Sequence, residues 1–148
     1  MKKRIILMHI MLLGFLLGIY KGKIAIWRDN DPTPIKVFPY KASMLPKADQ
    51  KALEKGIEFI HDNFNQPINV EMIASYVGYS KFHFCRKFKE VTGCTVNTYI
   101  NMRRISFAKK QLRSTNLSVA EIAAESGFNN LAYFSKTFRK YVNQTPKE

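Results

Sequence analysis

One short pattern occurs twice in this chain, and that repeat limits what it can fold into more than any other feature. Ile73-Ala74 and Gly78-Tyr79 return as Ile122-Ala123 and Gly127-Phe128, 49 positions later in both cases. After one inserted residue the match resumes, with Phe84, Arg86, Phe88 and Lys89 answered by Phe134, Lys136, Phe138 and Arg139, now 50 positions on. An Ile-Ala pair, a glycine, then aromatics four residues apart predicts a short helix, a tight turn and a second helix in each copy. Basic and small residues fall between the aromatics and face outward.

The helix-start signals agree. Ser118 followed by Glu121 forms a capping box ahead of Ile122-Ala123, and Asn69 caps the matching helix of the first copy, with Glu71 in its first turn. Ser80 and Asn129 stand where the two second helices begin. Between the copies, Val96 to Arg113 reads as one longer helix, a rigid spacer with Tyr99, Met102, Ile105, Ala108 and Leu112 on its apolar side. Its other face carries Arg103, Arg104, Lys109, Lys110 and Arg113, read either as a solvated charged surface or as a set of phosphate contacts.

Charge then narrows the partner. The 148 residues hold 24 Lys plus Arg against 11 Asp plus Glu, a formal net charge of +13, and basic residues outnumber acidic ones on both sides of Gly56. Such a balance attracts polyanions, either nucleic acid or an anionic membrane face, without fixing the fold. Hydrophobic residues make up 46%, which excludes wholesale disorder. Cys85 and Cys94 cannot build a disulfide framework and read as reduced thiols, and His9, His61 and His83 add no zinc-site spacing. With no nucleophile elbow either, neither an enzyme nor a bound metal or cofactor is expected.

The first third has a different character. Ile5 to Tyr20 is 16 residues without a formal charge, flanked by Lys2, Lys3 and Arg4 and then Lys21 and Lys23. It reads as a membrane anchor, short of the roughly 20 residues a spanning helix usually needs, with a signal-peptide core and a buried helix as rival readings. Ile24 to Trp27 and Ile35 to Phe38 are β-like pieces on either side of Asp29-Asn30-Asp31-Pro32, a candidate hairpin. The expected fold class is therefore all-α: two helix-turn-helix units joined by a long helix, preceded by an apolar anchor helix and a short β-like segment. Its parts are an anchor or signal-like segment over 1–21, a linker or hairpin over 22–46 and the double unit over 47–148.

From Ala48 to Pro146 the chain resembles the DNA-binding domain of AraC/XylS-type transcription regulators. The marks are Ile73-Ala74, Gly78-Tyr79-Ser80, Phe84-x-Arg86-x-Phe88-Lys89, Thr92-Gly93, Arg104-x-x-x-Ala108, Ile122-Ala123, Gly127-Phe128, Tyr133-Phe134-Ser135-Lys136 and Thr145-Pro146. The resemblance implies a seven-helix arrangement whose two recognition helices enter successive major-groove segments on one face of double-stranded DNA. A rigid spacer suits groove segments about 34 Å apart, so a monomer can read a non-palindromic site. Asn143 stands where the family often has glycine, a change asparagine tolerates because it also enters left-handed backbone. Met1 to Gly56 is too short for the effector-binding barrel common in the family.

Site residues follow residue by residue. In the first recognition helix the resemblance points to Phe82, Cys85 and Arg86 as base readers, with Lys81 and His83 beside them. Arg86 suits guanine O6 and N7, Phe82 a thymine methyl or core packing, and Cys85 a small apolar contact or an inert half-buried thiol. In the second, the matching positions are Leu131, Ala132, Tyr133 and Lys136, preceded by Asn129 and Asn130. Leu131 and Ala132 cannot hydrogen-bond a base edge, so this helix is expected to touch thymine methyls and to clamp phosphate through Lys136, Arg139 and Lys140.

A second, loose resemblance covers Leu17 to Ile57, where GIYKGKIAIW, VFPY and LPKADQKALEKGI are similar to membrane-anchored sporulation proteins of the bypass-of-forespore-C type. Three functions stand as expectations. One is a DNA-binding transcription regulator facing the chromosome from the cytoplasm, tethered to the membrane through residues 5–20 and meeting RNA polymerase. The others are an anchored extracytoplasmic interaction protein and a fusion of an unrelated first segment to a DNA-binding domain.

Overall fold

The computed structural model describes residues 45–147 and, of the first part, the backbone of 19–20, 23–28 and 31–39. Those earlier pieces form an antiparallel sheet in the order β1 (Ile19–Tyr20), β2 (Lys23–Arg28), β3 (Asp31–Pro39). Ile19 faces Ile24 and Ala25 faces Val37; the β2–β3 register slips on either side of Trp27, which pairs with Pro34. Proline donates no ladder hydrogen bond, so Pro32 and Pro34 fit an edge strand with an irregularity.

These findings correct the expected fold class. The helical body, residues 47–142, is all-α as expected, and the correction concerns the apolar anchor helix expected ahead of it. The alternation of β-branched residues at Ile24, Ile26, Ile35 and Val37 suits a pleated sheet, and here it yields three paired strands. Ile19 and Tyr20, the last residues of the apolar run, are strand and not the end of an anchor helix. Among the described residues no helix is long and apolar enough to cross a membrane; residues 5–18 of that run lie outside the described residues. Six helices are described where the resemblance implies seven.

The helical body begins with α1 (Lys47–Asn63), then α2 (Val70–Tyr76) and α3 (Lys81–Thr92). The connector α4 (Val96–Ser114) leads to α5 (Val119–Glu125) and α6 (Leu131–Val142). Five of these six helix starts carry a side-chain cap, the exception being α1 behind Pro46, and three of the caps stand where the sequence predicts them. The Asn69 Oδ1 accepts from the Met72 N–H at 2.9 Å, and the Ser80 Oγ from the His83 N–H at 3.3 Å. Ser118 and Glu121 close the full capping box. The fourth cap is one residue later than expected: Asn130, not Asn129, accepts from the Tyr133 N–H at 2.8 Å. The helix α6 ends on Asn143 in the left-handed conformation, φ 61°, the substitution for glycine that asparagine tolerates.

Two hydrophobic clusters lie along α4. The first gathers fifteen buried side chains, among them Leu53, Ile57, Ile60, Ile73, Phe84, Phe88 and Tyr99. The second holds seven: Ile105, Ala108, Ile122, Ala123, Phe128, Phe134 and Phe138. The repeated aromatics stack in matching fashion, with ring centroids 5.7 Å apart for Phe84 and Phe88 and 5.6 Å for Phe134 and Phe138. The clusters differ because α1 adds a helix to the first. The apolar stripe of α4 serves both, with Tyr99 and Met102 in one and Ile105 and Ala108 in the other.

Candidate nucleic-acid interface

Burying Phe84 and Phe88 under α1 turns the opposite side of α3 outward. Phe82 is 77% exposed, which removes core packing as its explanation. Arg86 lies one turn further along the same side and is exposed, with Cys85 half-buried next to it. Lys81 is held by an ion pair to Glu71, which raises the pKa of the lysine and lowers that of the glutamate. Its charge is therefore shared across the turn. His83 leans back toward α1: its ring meets Tyr79 edge-on at 4.6 Å, and its Nε2 is 3.9 Å from Asp49 Oδ1. The structure thus brings Phe82, Cys85 and Arg86 together and sets Lys81 and His83 to the side.

Asp49 is what holds α3 in place on that side. Its carboxylate accepts from the Tyr79 hydroxyl and lies 3.7 Å from Lys87 Nζ. Those partners hold its pKa below the ordinary value, the Tyr79 hydrogen bond first and the Lys87 and His83 charges after it, against the opposing effect of burial.

In α6 the exposed side carries Leu131, Ala132, Tyr133, Lys136, Arg139 and Lys140, following the Asn130 cap. Leu131 is 48% and Tyr133 51% exposed. The Tyr133 hydroxyl accepts from Asn101 Nδ2 at 2.9 Å, and its ring lies 6.0 Å from that of Phe128. That side chain therefore braces α6 against the connector, a role the sequence does not reveal. Leu131, Lys136, Arg139 and Lys140, together with Thr145 and Pro146, line an open groove of about 940 Å³.

The charged face of α4 differs from expectation. Lys110 and Arg113 are exposed, but Arg103 and Arg104 are half-buried. Arg104 donates from Nε to the Phe64 carbonyl at 2.6 Å and from a terminal nitrogen to the Gln66 carbonyl at 2.9 Å. Its guanidinium carbon lies 5.7 Å from the Phe128 ring centroid, and that of Arg103 lies 5.0 Å from the Phe64 ring centroid. Burial lowers the Arg104 pKa below its usual value. The cause is local: Phe64 caps α1, and helix-end carbonyls need donors from elsewhere. Arg104 sits next to the buried Ile105 stripe, the one sequence signal for such an inward turn.

Comparison with known proteins extends the picture beyond the repeat. A family model for a helix-turn-helix domain matches residues 73–148. Regulatory protein SoxS of Escherichia coli (strain K12) is 34% identical over 99 residues, spanning 67% of this chain and 92% of SoxS. Probable transcription factor PqrA of Proteus vulgaris is 40% identical over 82 residues, 55% of this chain and 67% of PqrA. Among solved structures, a transcriptional regulator with an AraC-type DNA-binding domain from Chromobacterium violaceum matches with TM-score 0.63 and 29% identity, over 69% of this chain and 91% of that one. The C-terminal domain of the response regulator yesN from Fusobacterium nucleatum gives TM-score 0.63 and 28% identity, over 66% and 95%. Two capped helix-turn-helix units on one connector, with these likenesses over the same residues, place the chain in the AraC/XylS family: it is a sequence-specific DNA-binding transcription regulator, and its role is regulatory, not catalytic.

Proposed function

We propose that the two recognition helices divide the work, α3 reading base sequence and α6 mainly anchoring the protein on the duplex. The observation that carries this reading is the unequal chemistry of their exposed sides. On α3, Arg86 is open to solvent beside the exposed Phe82. A guanidinium there supplies paired donors for guanine, and Phe82 and Cys85 supply apolar contact for a neighbouring thymine methyl. On α6, Leu131 and Ala132 have no hydrogen-bonding group, and the Tyr133 hydroxyl is turned toward the connector, where it accepts from Asn101. What remains is apolar contact plus the charges of Lys136, Arg139 and Lys140, which suit phosphates and carry no sequence information. Lys81, His83 and Asn130 flank these surfaces in supporting positions. Both helices belong to one chain, so a monomer suffices for a two-part, non-palindromic site.

The test compares two variants on a duplex selected by the intact chain from a random library and on random DNA of the same length. Arg86→Ala is expected to weaken the selected duplex by about 5- to 150-fold, the equivalent of one lost bidentate contact, and to leave random DNA nearly unchanged. Lys136→Ala is expected to weaken both alike and to make the salt slope shallower by about 1. Equal losses on both DNAs for both variants would refute the division of labour.

In this reading residues 47–148 are the DNA-binding unit, working where the chromosome is, with 22–46 leading into it. Reporters fused at Glu148, one active only inside the cell and one only outside, test the compartment. A contact with RNA polymerase completes the reading for a regulator that activates. It is checked by whether purified polymerase binds the protein–DNA complex more tightly than the DNA alone.

A further inference from the structure

A connector helix of 19 residues spans about 28 Å and sets how far apart two units lie. One helix fixes their rotation about its own axis less well, because the second cluster is small and meets α4 mainly through Ile105 and Ala108. A second point of attachment exists, and it comes from the first unit. The loop after α1, at Phe64 to Gln66, reaches across to the second unit's turn. A methyl placed on Gly127 would lie 2.9 Å from the Phe64 carbonyl oxygen and 3.0 Å from the Asn65 backbone, so the two backbones are in direct contact. Arg104 lies between them, bonding two loop carbonyls while its guanidinium plane lies near the Phe128 ring of the second unit. Asn101, three residues earlier on α4, bonds Tyr133 in the first turn of α6.

We propose that Arg104 is a positioning residue for DNA recognition: by tying the Phe64–Gln66 loop to the Phe128 turn it sets the rotation of α6 relative to α3, and with it the half-site spacing the protein accepts. The side chain touches no DNA in this role. Lysine is a poor substitute, since its ammonium is a single point of charge and lacks the planar fork that reaches the two carbonyls from separate nitrogens while its carbon stays near the ring. The inference rests on the reading that both helices engage one duplex.

The experiment uses the full chain and the duplex it selects, remade with one base pair added to or removed from between the half-sites. The unsubstituted protein is expected to lose about tenfold or more on either spacing variant, because the second helix can no longer engage. Arg104→Ala is expected to bind the original duplex about tenfold more weakly, with its preference among the three spacings largely gone. A uniform weakening that keeps the original spacing preference would overturn the proposal. Should Arg104→Ala not fold, judged by circular dichroism, Arg104→Lys enters the same series with the same two readings. Residual dipolar couplings on free protein provide a readout without DNA: one common alignment for both units in the unsubstituted chain, separate alignments in the variant. A common alignment in both proteins would also overturn the proposal. Failure of the unsubstituted chain to select any two-part duplex would count against the function proposed above, and the couplings would still decide the role of Arg104.

Discussion

Gly78 and Gly127 hold the same place in the two copies, with nearly the same backbone, φ 78° and φ 84°, and yet their surroundings differ. A methyl at Gly78 would meet nothing within 4 Å, whereas one at Gly127 would press on the Phe64–Asn65 backbone. The first turn needs glycine for its dihedral alone; the second needs it for the dihedral and for the space. Duplicated sequence has thus come to carry unequal structural demands. The first unit is thick, with α1 covering its core, and the second leans on the first.

Substitution at the two glycines tests that inequality most sharply. Gly127→Ala combines left-handed strain with a backbone collision and is expected to lower stability by about 2 to 5 kcal/mol. Gly78→Ala meets only the strain, about 1 to 2 kcal/mol. Urea unfolding of both variants measures the gap, and equal midpoints would show that the loop yields freely at Gly127.

Acid is expected to act on the first unit. His61 of α1 hydrogen-bonds the buried Tyr99 hydroxyl at 2.8 Å, and burial, with the nearby Arg103 charge, lowers its pKa to about 4. The unfolded chain takes up this proton near pH 6.5 and the folded chain only near pH 4. Stability from this group is therefore complete above pH 6.5 and falls as the pH drops from 6.5 to 4, by up to about 3 kcal/mol. Unfolding midpoints at several pH values, for the unsubstituted chain and His61→Gln, check it: the variant should lose most of the slope across that window. An unchanged slope would assign the acid sensitivity to other groups.

The smallest effect concerns the caps. Asn69→Ala removes a single acceptor, but Ser118→Ala removes a hydroxyl that both accepts from the Glu121 N–H at 3.3 Å and donates to the Glu121 carboxylate at 2.6 Å, leaving only the backbone N–H of residue 118 on that carboxylate. Each change is expected to cost about 1 kcal/mol, with Ser118 the larger. The thermal midpoints of the two variants rank them, and a larger shift for Asn69→Ala would reverse the expectation that the thinner unit depends more on its caps.

How far the sequence alone could reach follows from the same residues. Helix periodicity and capping side chains are local, so the two units, the connector and the exposed sides of α3 and α6 could all be read from spacing. The sheet was half visible: alternating Ile and Val announced strands, but not that Ile19 and Tyr20 would leave the apolar run to pair with Lys23 and Ile24. The face of Arg103 and Arg104 misled for a different reason. A polar stripe says which side of a helix avoids its own core, and nothing in it says that a carbonyl 40 residues earlier will arrive there. His83 and Tyr133 show the same limit at the candidate site, since each has a partner, Asp49 or Asn101, that only the folded chain brings near.

The shared connector also restricts how this protein can change over generations. One residue inserted or deleted within α4 would turn everything beyond it by about 100° and shift it by about 1.5 Å. That rotation would tear Arg104, Asn101 and the second core from their partners together, so α4 should accept substitutions yet reject changes in length. The loop at Asn116–Leu117, exposed between α4 and α5, is the place where extra residues could be absorbed.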